Sequence, residues 1–282
     1  MKITKAVVTA ANAAQRSLPL QRLVDRDGEE KTALQLILEE IASAGIDDVC
    51  VVVSPGEQSR LQQAAGSLGE HLRFVEQPAA LGYGDALLRS KPFVKDEPFL
   101  HLVGDHLYLS RCEATCAQQL VEVAAAEGCS VTAVQQTRET QLPFFGAVGG
   151  RRMPRRPQLY EITAVLEKPT PTQAEQSLLT AGLRSGFYLC VFGMHALTPL
   201  VRDLLEEELS RVGPDQKLTL SPALAALGLR ERYLAFEVNG ARHDIGVKYG
   251  MLMAQLAHCL AGGDRDRILT ELVQLLADQR TS

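Results

Sequence analysis

Apolar positions along the chain alternate between two patterns. Short runs rich in valine and other apolar residues, at Ala6–Ala11, Asp48–Val53, Leu72–Glu76, Phe99–Val103 and Ser130–Gln135, read as buried strands. Between them apolar residues recur at helical spacing. In TALQLILEEIASAG, Leu34, Ile37, Leu38 and Ile41 share one face, and Gly45 stands at the end. Apolar strands separated by amphipathic helices predict a parallel sheet covered on both faces. Ligands of such sheets bind beyond the carboxyl ends of the strands, so chemistry is expected in the residues just after each strand.

From about residue 140 the strands come closer together, at Phe144–Gly149, Gln158–Leu166, Gly186–Phe192 and Tyr233–Val238. Helices at Val247–Leu260 and Arg265–Asp278 finish the chain. The pattern predicts an α/β fold with a Rossmann-like, mixed and mainly parallel central sheet, flanked by helices and followed by C-terminal helices. No internal repeat or low-complexity linker divides it. One domain is expected over 1–262, with halves at about 1–140 and 141–262, and a C-terminal helix over 263–282.

Composition narrows the class. Apolar residues make up 46% and charged residues 22%, with a formal net charge of −5, as in an ordinary water-soluble globular chain. The densest cationic cluster, RRMPRR (Arg151 to Arg156), is two arginine pairs around a proline and reads as a solvated loop. No nucleic-acid partner is expected. No segment approaches the ~20 apolar residues of a membrane helix. The run Ala6–Ala11 is too short for a secretory core and reads as a first strand. Cys50, Cys129 and Cys190 fall in strand-like runs. Cys112 and Cys116 lack the histidine or cysteine pair that would complete a zinc site. Reduced cysteines and a cytoplasmic location are therefore expected.

Candidate chemistry sits in five short stretches: the loop after the first strand, VEQPAALGYGDALL (Val75 to Leu88), FLHLVGDHL (Phe99 to Leu107), VLEKP (Val165 to Pro169) and RHDIGVKYG (Arg242 to Gly250). Asp105 ends an apolar strand at its carboxyl edge, and Asp244 enters a turn closed by Gly246. Two converging carboxylates suit Mg²⁺, which takes one or two protein carboxylates with phosphates and waters. A lysine beside them, Lys168, would neutralise developing charge. Each signal also has an ordinary reading: Gly-Asp after a strand is a common turn, Glu-Lys-Pro a common solvated edge, and a pair such as Gly82 and Gly84 a common tight turn. Their order and spacing carry the case.

In that order the stretches resemble the bacterial UTP–glucose-1-phosphate uridylyltransferases, within the sugar-phosphate nucleotidyltransferases, from about Lys5 to Leu260. KAVVTAA, EQPAALGYGDALL, KPFVKDEPFLHLVGDHL, VLEKPTPT, SGFYLCVFGMHAL and RHDIGVKYGMLMAQ carry the likeness. The resemblance implies a nucleotide-diphospho-sugar transferase fold, with the nucleotide-binding half first and the sugar-binding half second. It implies a reaction in which a sugar 1-phosphate attacks the α-phosphorus of a nucleoside triphosphate and releases pyrophosphate. UTP and glucose 1-phosphate are the implied substrates. Carried over, Asp105 and Asp244 would bind Mg²⁺, and Gln77 and Gly82 would read the nucleobase. Ala10, Ala11 and Asn12 would face the nucleotide, with Arg16 and Lys168 as catalytic cations beside Asp105. Glu167, Lys168, Gly146 and Tyr188 would hold the sugar. A homodimer or homotetramer is implied by analogy.

The opening loop departs from the family's A-A-G-x-G-T-R-x-x-P. Asn12 and Ala14 replace its glycines, while Arg16 and Pro19 match. Alanine in a left-handed conformation costs about 1–2 kcal/mol. The lysine of the following P-K-E-x-L-P stretch falls in a gap between Pro19 and Leu23, leaving Arg22 and Arg26 as the nearest cations. His106 stands where the uridylyltransferases carry a second aspartate, and Lys217–Pro222 (KLTLSP) replaces E-I-Q-L-T-D. Two further readings stay open: a catalytically impaired relative that binds nucleotide sugar as a regulator or assembly partner, and a metal-dependent glycosyltransferase.

Overall fold

A computed structural model describes residues 1–12, 16–213 and 216–278. Its strands are β1 (Lys5–Ala10), β2 (Arg22–Val24), β3 (Glu30–Thr32), β4 (Asp48–Val53), β5 (Leu72–Glu76), β6 (Phe99–Val103) and β7 (His106–Ser110). They continue with β8 (Ser130–Arg138), β9 (Ala147–Met153), β10 (Arg156–Leu166), β11 (Phe187–Leu197), β12 (Tyr233–Glu237) and β13 (Gly240–Asp244). Nine strands form one sheet in the order β5-β4-β1-β6-β11-β8-β12-β10-β9. In it β11 and β10 run against the direction shared by all the others, so the sheet is mixed and mainly parallel. Two small ribbons, β2–β3 and β7–β13, lie outside it.

Alternate residues of the central strands supply two cores, one on each face. Ala6, Val8, Val49, Val51 and Val53 join one cluster, while Val7, Cys50 and Val52 join the other. The helix Ala33–Ser43 begins with reciprocal capping: Thr32 Oγ1 accepts from Gln35 N at 3.1 Å, and Gln35 Oε1 accepts from Thr32 N at 2.8 Å. Its stripe of Leu34, Ile37, Leu38 and Ile41 is buried, and each such side chain contributes about 1.5–3 kcal/mol. Gly45 follows with φ +73°, a left-handed conformation that glycine adopts without steric cost.

Several boundaries differ from the pattern reading, and two of them bear on the site. The strand expected at Phe144–Gly149 begins only at Ala147, because Glu139–Phe144 form a 3₁₀ turn around Pro143, which has no N–H for a ladder. The helix expected from Val247 begins at Gly250, after Tyr249 at φ +64°. All six cysteines are free. Among the described residues, no helix is long and apolar enough to cross a membrane.

One core group makes stability pH-dependent. Glu40 Oε1 accepts from Ala117 N at 2.7 Å, yet burial pushes its carboxyl up to about 7. A raised folded pKa means that the folded state binds the extra proton. The stabilisation is therefore complete below pH ~4.5 and lost as pH rises through about 7. Glu40→Gln is expected to raise stability at pH 8 and to flatten that window, as measured by urea unfolding at pH 5 and pH 8.

Candidate active site

A cleft of about 490 Å³ opens at the carboxyl ends of β1, β5 and β6. On its first side, Gly104 packs onto the end of β1. Its N–H donates to Thr9 O at 2.9 Å, and a Cβ there would lie 3.0 Å from that oxygen and from Ala10 Cβ. Asp105 comes next, and the β7–β13 ribbon pairs His106 with Asp244. Ile245 N also donates to Asp105 O at 2.9 Å. Ligand atoms of Asp105, His106 and Asp244 thus lie within 4.8 Å of one another. Burial opposes ionisation of Asp105, but His106, whose Nδ1 lies 2.9 Å from Asp105 Oδ1, and the charge of Lys168 outweigh it and hold the carboxyl below its ordinary value.

Space for this cluster comes from a bulge in β11. Its pairing with β8 shifts register between Val191 and His195, around Gly193 at φ +82°. A Cβ on Gly193 would meet Val103 Cγ2 at 2.8 Å, and Tyr108 OH donates to Gly193 O at 2.8 Å. Below the floor, Thr9 Oγ1 and Tyr83 OH both approach His101 at 3.3 Å, and Thr132 Oγ1 lies 2.9 Å from His195 Nδ1. Burial keeps both imidazoles neutral by holding their pKa values far below 6.5.

The second side is the turn from β5 into the helix Tyr83–Arg89. Gln77 N donates to Val53 O at 2.8 Å. Its side-chain Nε2 donates to Gly82 O at 3.0 Å and to Asp85 Oδ2 at 2.8 Å. Leu218 clamps the turn through its own backbone: Leu218 N donates to Leu81 O at 2.8 Å and Gly84 N to Leu218 O at 2.9 Å. The remaining wall carries Gly146, Glu167 and Lys168. Ser221 Oγ donates to Glu167 Oε2 at 2.5 Å. Lys168 precedes a proline yet holds φ +44°, strain of the kind that concentrates at functional positions. Phe145 bridges the two sides, with its ring edge on to His106 and the buried Arg242 guanidinium 3.8 Å from its centre.

The cleft therefore brings together Asp105, Asp244, Gln77, Gly82, Gly146, Glu167, Lys168, Ala11 and Asn12. Other expected residues lie elsewhere. Tyr188 is 4% exposed and packs with Leu142, Ala174 and Leu178, because along β11 it points away from the face that carries Val191 and Gly193. Ala10 closes β1 against Gly104, and Arg16 is exposed; neither lines the cleft. Arg22 pairs with Glu30 at 2.9 Å, and Arg26 lines a separate cavity beside Cys259 and Asp264. Neither lines the cleft. Ala13, Ala14 and Gln15 of the opening loop lie outside the described residues.

Sequence reasoning missed Asp85 beneath Gln77 and Phe145 in the wall; Ser221 on Glu167 and Lys217, which lines the cleft beside the Gly82 turn, stand in the KLTLSP stretch that it named only as a departure from the family. For Asp85 a signal was present, since an acid in a helix's first turn and an arginine four residues on often pair.

Comparison with known proteins bears on the family and the fold. Residues 21–253 match the family model described as nucleotidyl transferase. UTP–glucose-1-phosphate uridylyltransferase of Streptococcus pneumoniae is 26% identical over 97% of this chain and 96% of its own length. The Staphylococcus epidermidis protein of that name is 24% identical over 98% and 99%. A crystal structure of UDP-glucose pyrophosphorylase complexed with UDP-glucose shares the fold, with a TM-score of 0.74 and 23% identity over 91% of this chain and 98% of that one. UTP-bound UDP-glucose pyrophosphorylase from Acinetobacter baumannii matches with a TM-score of 0.72 and 21% identity over 97% and 99%. The chain belongs to the nucleotidyl transferase family.

Proposed function

We propose that the cleft transfers the uridylyl group of UTP to glucose 1-phosphate, giving UDP-glucose and pyrophosphate. An oxygen of the sugar phosphate attacks the α-phosphorus, and the bond from that phosphorus to the α,β-bridging oxygen breaks. Pyrophosphate leaves with the bonding electrons. No protein nucleophile is required, so the work is alignment of two polyanions and stabilisation of charge. The observation that carries the reading is the meeting of Asp105, His106 and Asp244 with Lys168 in one cleft, opposite the Gln77–Gly82 turn. Half 1–140 would then hold the nucleotide and half 141–262 the sugar. The six free cysteines fit a reducing, cytoplasmic setting.

The donor set fits a divalent cation, and its two carboxylates suit Mg²⁺. Bound there, Mg²⁺ would supply charge neutralisation on the phosphates. Asp105 and Asp244 would hold it, while His106 orients the Asp105 carboxylate. Lys168 would neutralise the sugar phosphate, and the bond from Ser221 fixes Glu167 with one carboxylate oxygen left for a sugar hydroxyl. Lys168→Met is expected to lower kcat/KM for glucose 1-phosphate by about 10²–10³-fold. Lys168→Arg is expected to recover little, because the planar guanidinium does not reproduce a compact ammonium at this left-handed position. Steady-state pyrophosphate release across a panel of hexose 1-phosphates checks both variants and the substrate assignment. Near-normal rates in Lys168→Met would remove the lysine from the mechanism.

One observation favours a second reading. Asn12 and Ala14 stand at the family's glycine positions and its loop lysine has no counterpart, departures that touch triphosphate binding more than binding of the product. A protein damaged there alone would bind UDP-glucose without making it, and would act as a regulator or assembly partner.

A further inference from the structure

We propose that Asp85, acting through Gln77, sets the pyrimidine preference of the cleft and selects those whose N3 carries a hydrogen, uracil and thymine, over cytosine. The inference rests on the proposed function only in placing a nucleoside against the Gln77–Gly82 turn.

Asp85 is 1% exposed and sits in the first turn of the helix Tyr83–Arg89. One carboxylate oxygen accepts from Arg89 Nη2 at 2.9 Å, and the other accepts from Gln77 Nε2 at 2.8 Å. The same Nε2 donates to Gly82 O at 3.0 Å. Both hydrogens of the amide are thereby used. A carboxylate and a carbonyl can only accept, so the reversed amide would set Gln77 Oε1 against two acceptors. The network thus fixes the orientation of the amide.

The consequence appears on the cleft side. Gln77 lines the cleft, and its Oε1 has no partner among the described residues and is not sealed from solvent. An incoming base therefore meets an acceptor. Uracil and thymine offer N3–H to it, whereas N3 of cytosine is itself an acceptor and leaves two lone pairs facing each other. Sites built around one hydrogen bond reject the mismatched analogue more strongly than apolar pockets do. Asp85 touches no substrate in this arrangement. It is a positioning residue.

The test compares UDP-glucose with CDP-glucose by calorimetry, on the wild-type protein and on Asp85→Asn. An asparagine amide can turn its NH₂ toward Gln77 Oε1, which removes one of the two acceptors that oppose the reversed glutamine and leaves Gly82 O alone against it. The wild type is expected to bind UDP-glucose at least about tenfold more tightly, and the variant to narrow that ratio by about threefold or more, Gly82 O still favouring the native orientation. A folded Asp85→Asn that keeps the wild-type ratio overturns the proposal. Should that variant not fold, Asp85→Ser, whose hydroxyl both donates and accepts, is expected to narrow the ratio in the same way. Should neither fold, the wild-type ratio decides, and a value near one overturns the proposal. Pyrophosphate release from UTP and glucose 1-phosphate, assayed on the same samples, tests the reaction separately. Wild-type selectivity that narrows in the variant, without release, upholds the role of Asp85 and overturns the transfer reaction, while release with no such selectivity does the reverse. Binding of neither nucleotide sugar overturns the base preference.

Discussion

Asp105→Ala is expected to lower pyrophosphate release by at least about 10³-fold, the upper end of what one charge-stabilising group supplies. The carboxylate stands at the edge of a central strand, within ligand distance of His106 and Asp244. It stays ionised although burial opposes this, because His106 and Lys168 favour the charge. Removing it leaves Asp244 and one imidazole, too few to hold a divalent cation against the triphosphate's own demand. Little stability should be lost, since the side chain is a half-buried charge rather than a packed one. Asp105→Asn keeps the shape and loses the charge, so it should fall nearly as far. Initial rates over a Mg²⁺ titration, with a thermal melt of each variant, read the result. A tenth of normal activity in a folded alanine variant would place the metal elsewhere.

Gly82→Ala should produce the second large effect, this time on binding. Gly82 holds φ +112°, which L residues rarely adopt, and an added Cβ would fall 2.4 Å from Leu218 O and 2.9 Å from Leu218 N. That backbone cannot easily retreat, because Leu218 is hydrogen-bonded to Leu81 and to Gly84 on either side. The strained dihedral alone costs about 1–3 kcal/mol. The turn must then open, and with it the carbonyl that anchors Gln77. Affinity for UDP-glucose is expected to drop about hundredfold, while the metal cluster on the other side of the cleft is spared. Calorimetric titration with UDP-glucose checks this; unchanged affinity would separate the turn from nucleotide binding.

Much of the central sheet was legible because buried parallel strands are uninterrupted apolar runs. β4, β5 and β6 have the limits read from the sequence, and Asp105 stands out where such a run ends in a charged residue. The later half was harder. Phe144 and Phe145 look strand-like, but Pro143 ties the first of them into a 3₁₀ turn, and both line the cleft. Tyr188 was carried over by resemblance, and the direction of a single side chain on β11 depends on register, which the bulge at Gly193 resets further along the strand. The roles of Asp85 and Lys217 were hard to read for another reason. Their meaning depends on partners brought together only by folding: Gln77 from the end of β5, and the Gly82 turn that Leu218 clamps from the far half of the chain. The opening loop shows the opposite case, with departures readable in the sequence at Asn12 and Ala14 but no replacement cation at Arg22 or Arg26.

Those departures make the central claim, that this cleft performs transfer and not binding alone, the one to test first. The direct measurement incubates the protein with UTP, glucose 1-phosphate and Mg²⁺ and quantifies pyrophosphate and UDP-glucose together. Transfer predicts equal amounts of the two products, both lost on chelation of the metal. Tight binding of UDP-glucose with no pyrophosphate formed would contradict it and leave a nucleotide-sugar sensor on a transferase fold.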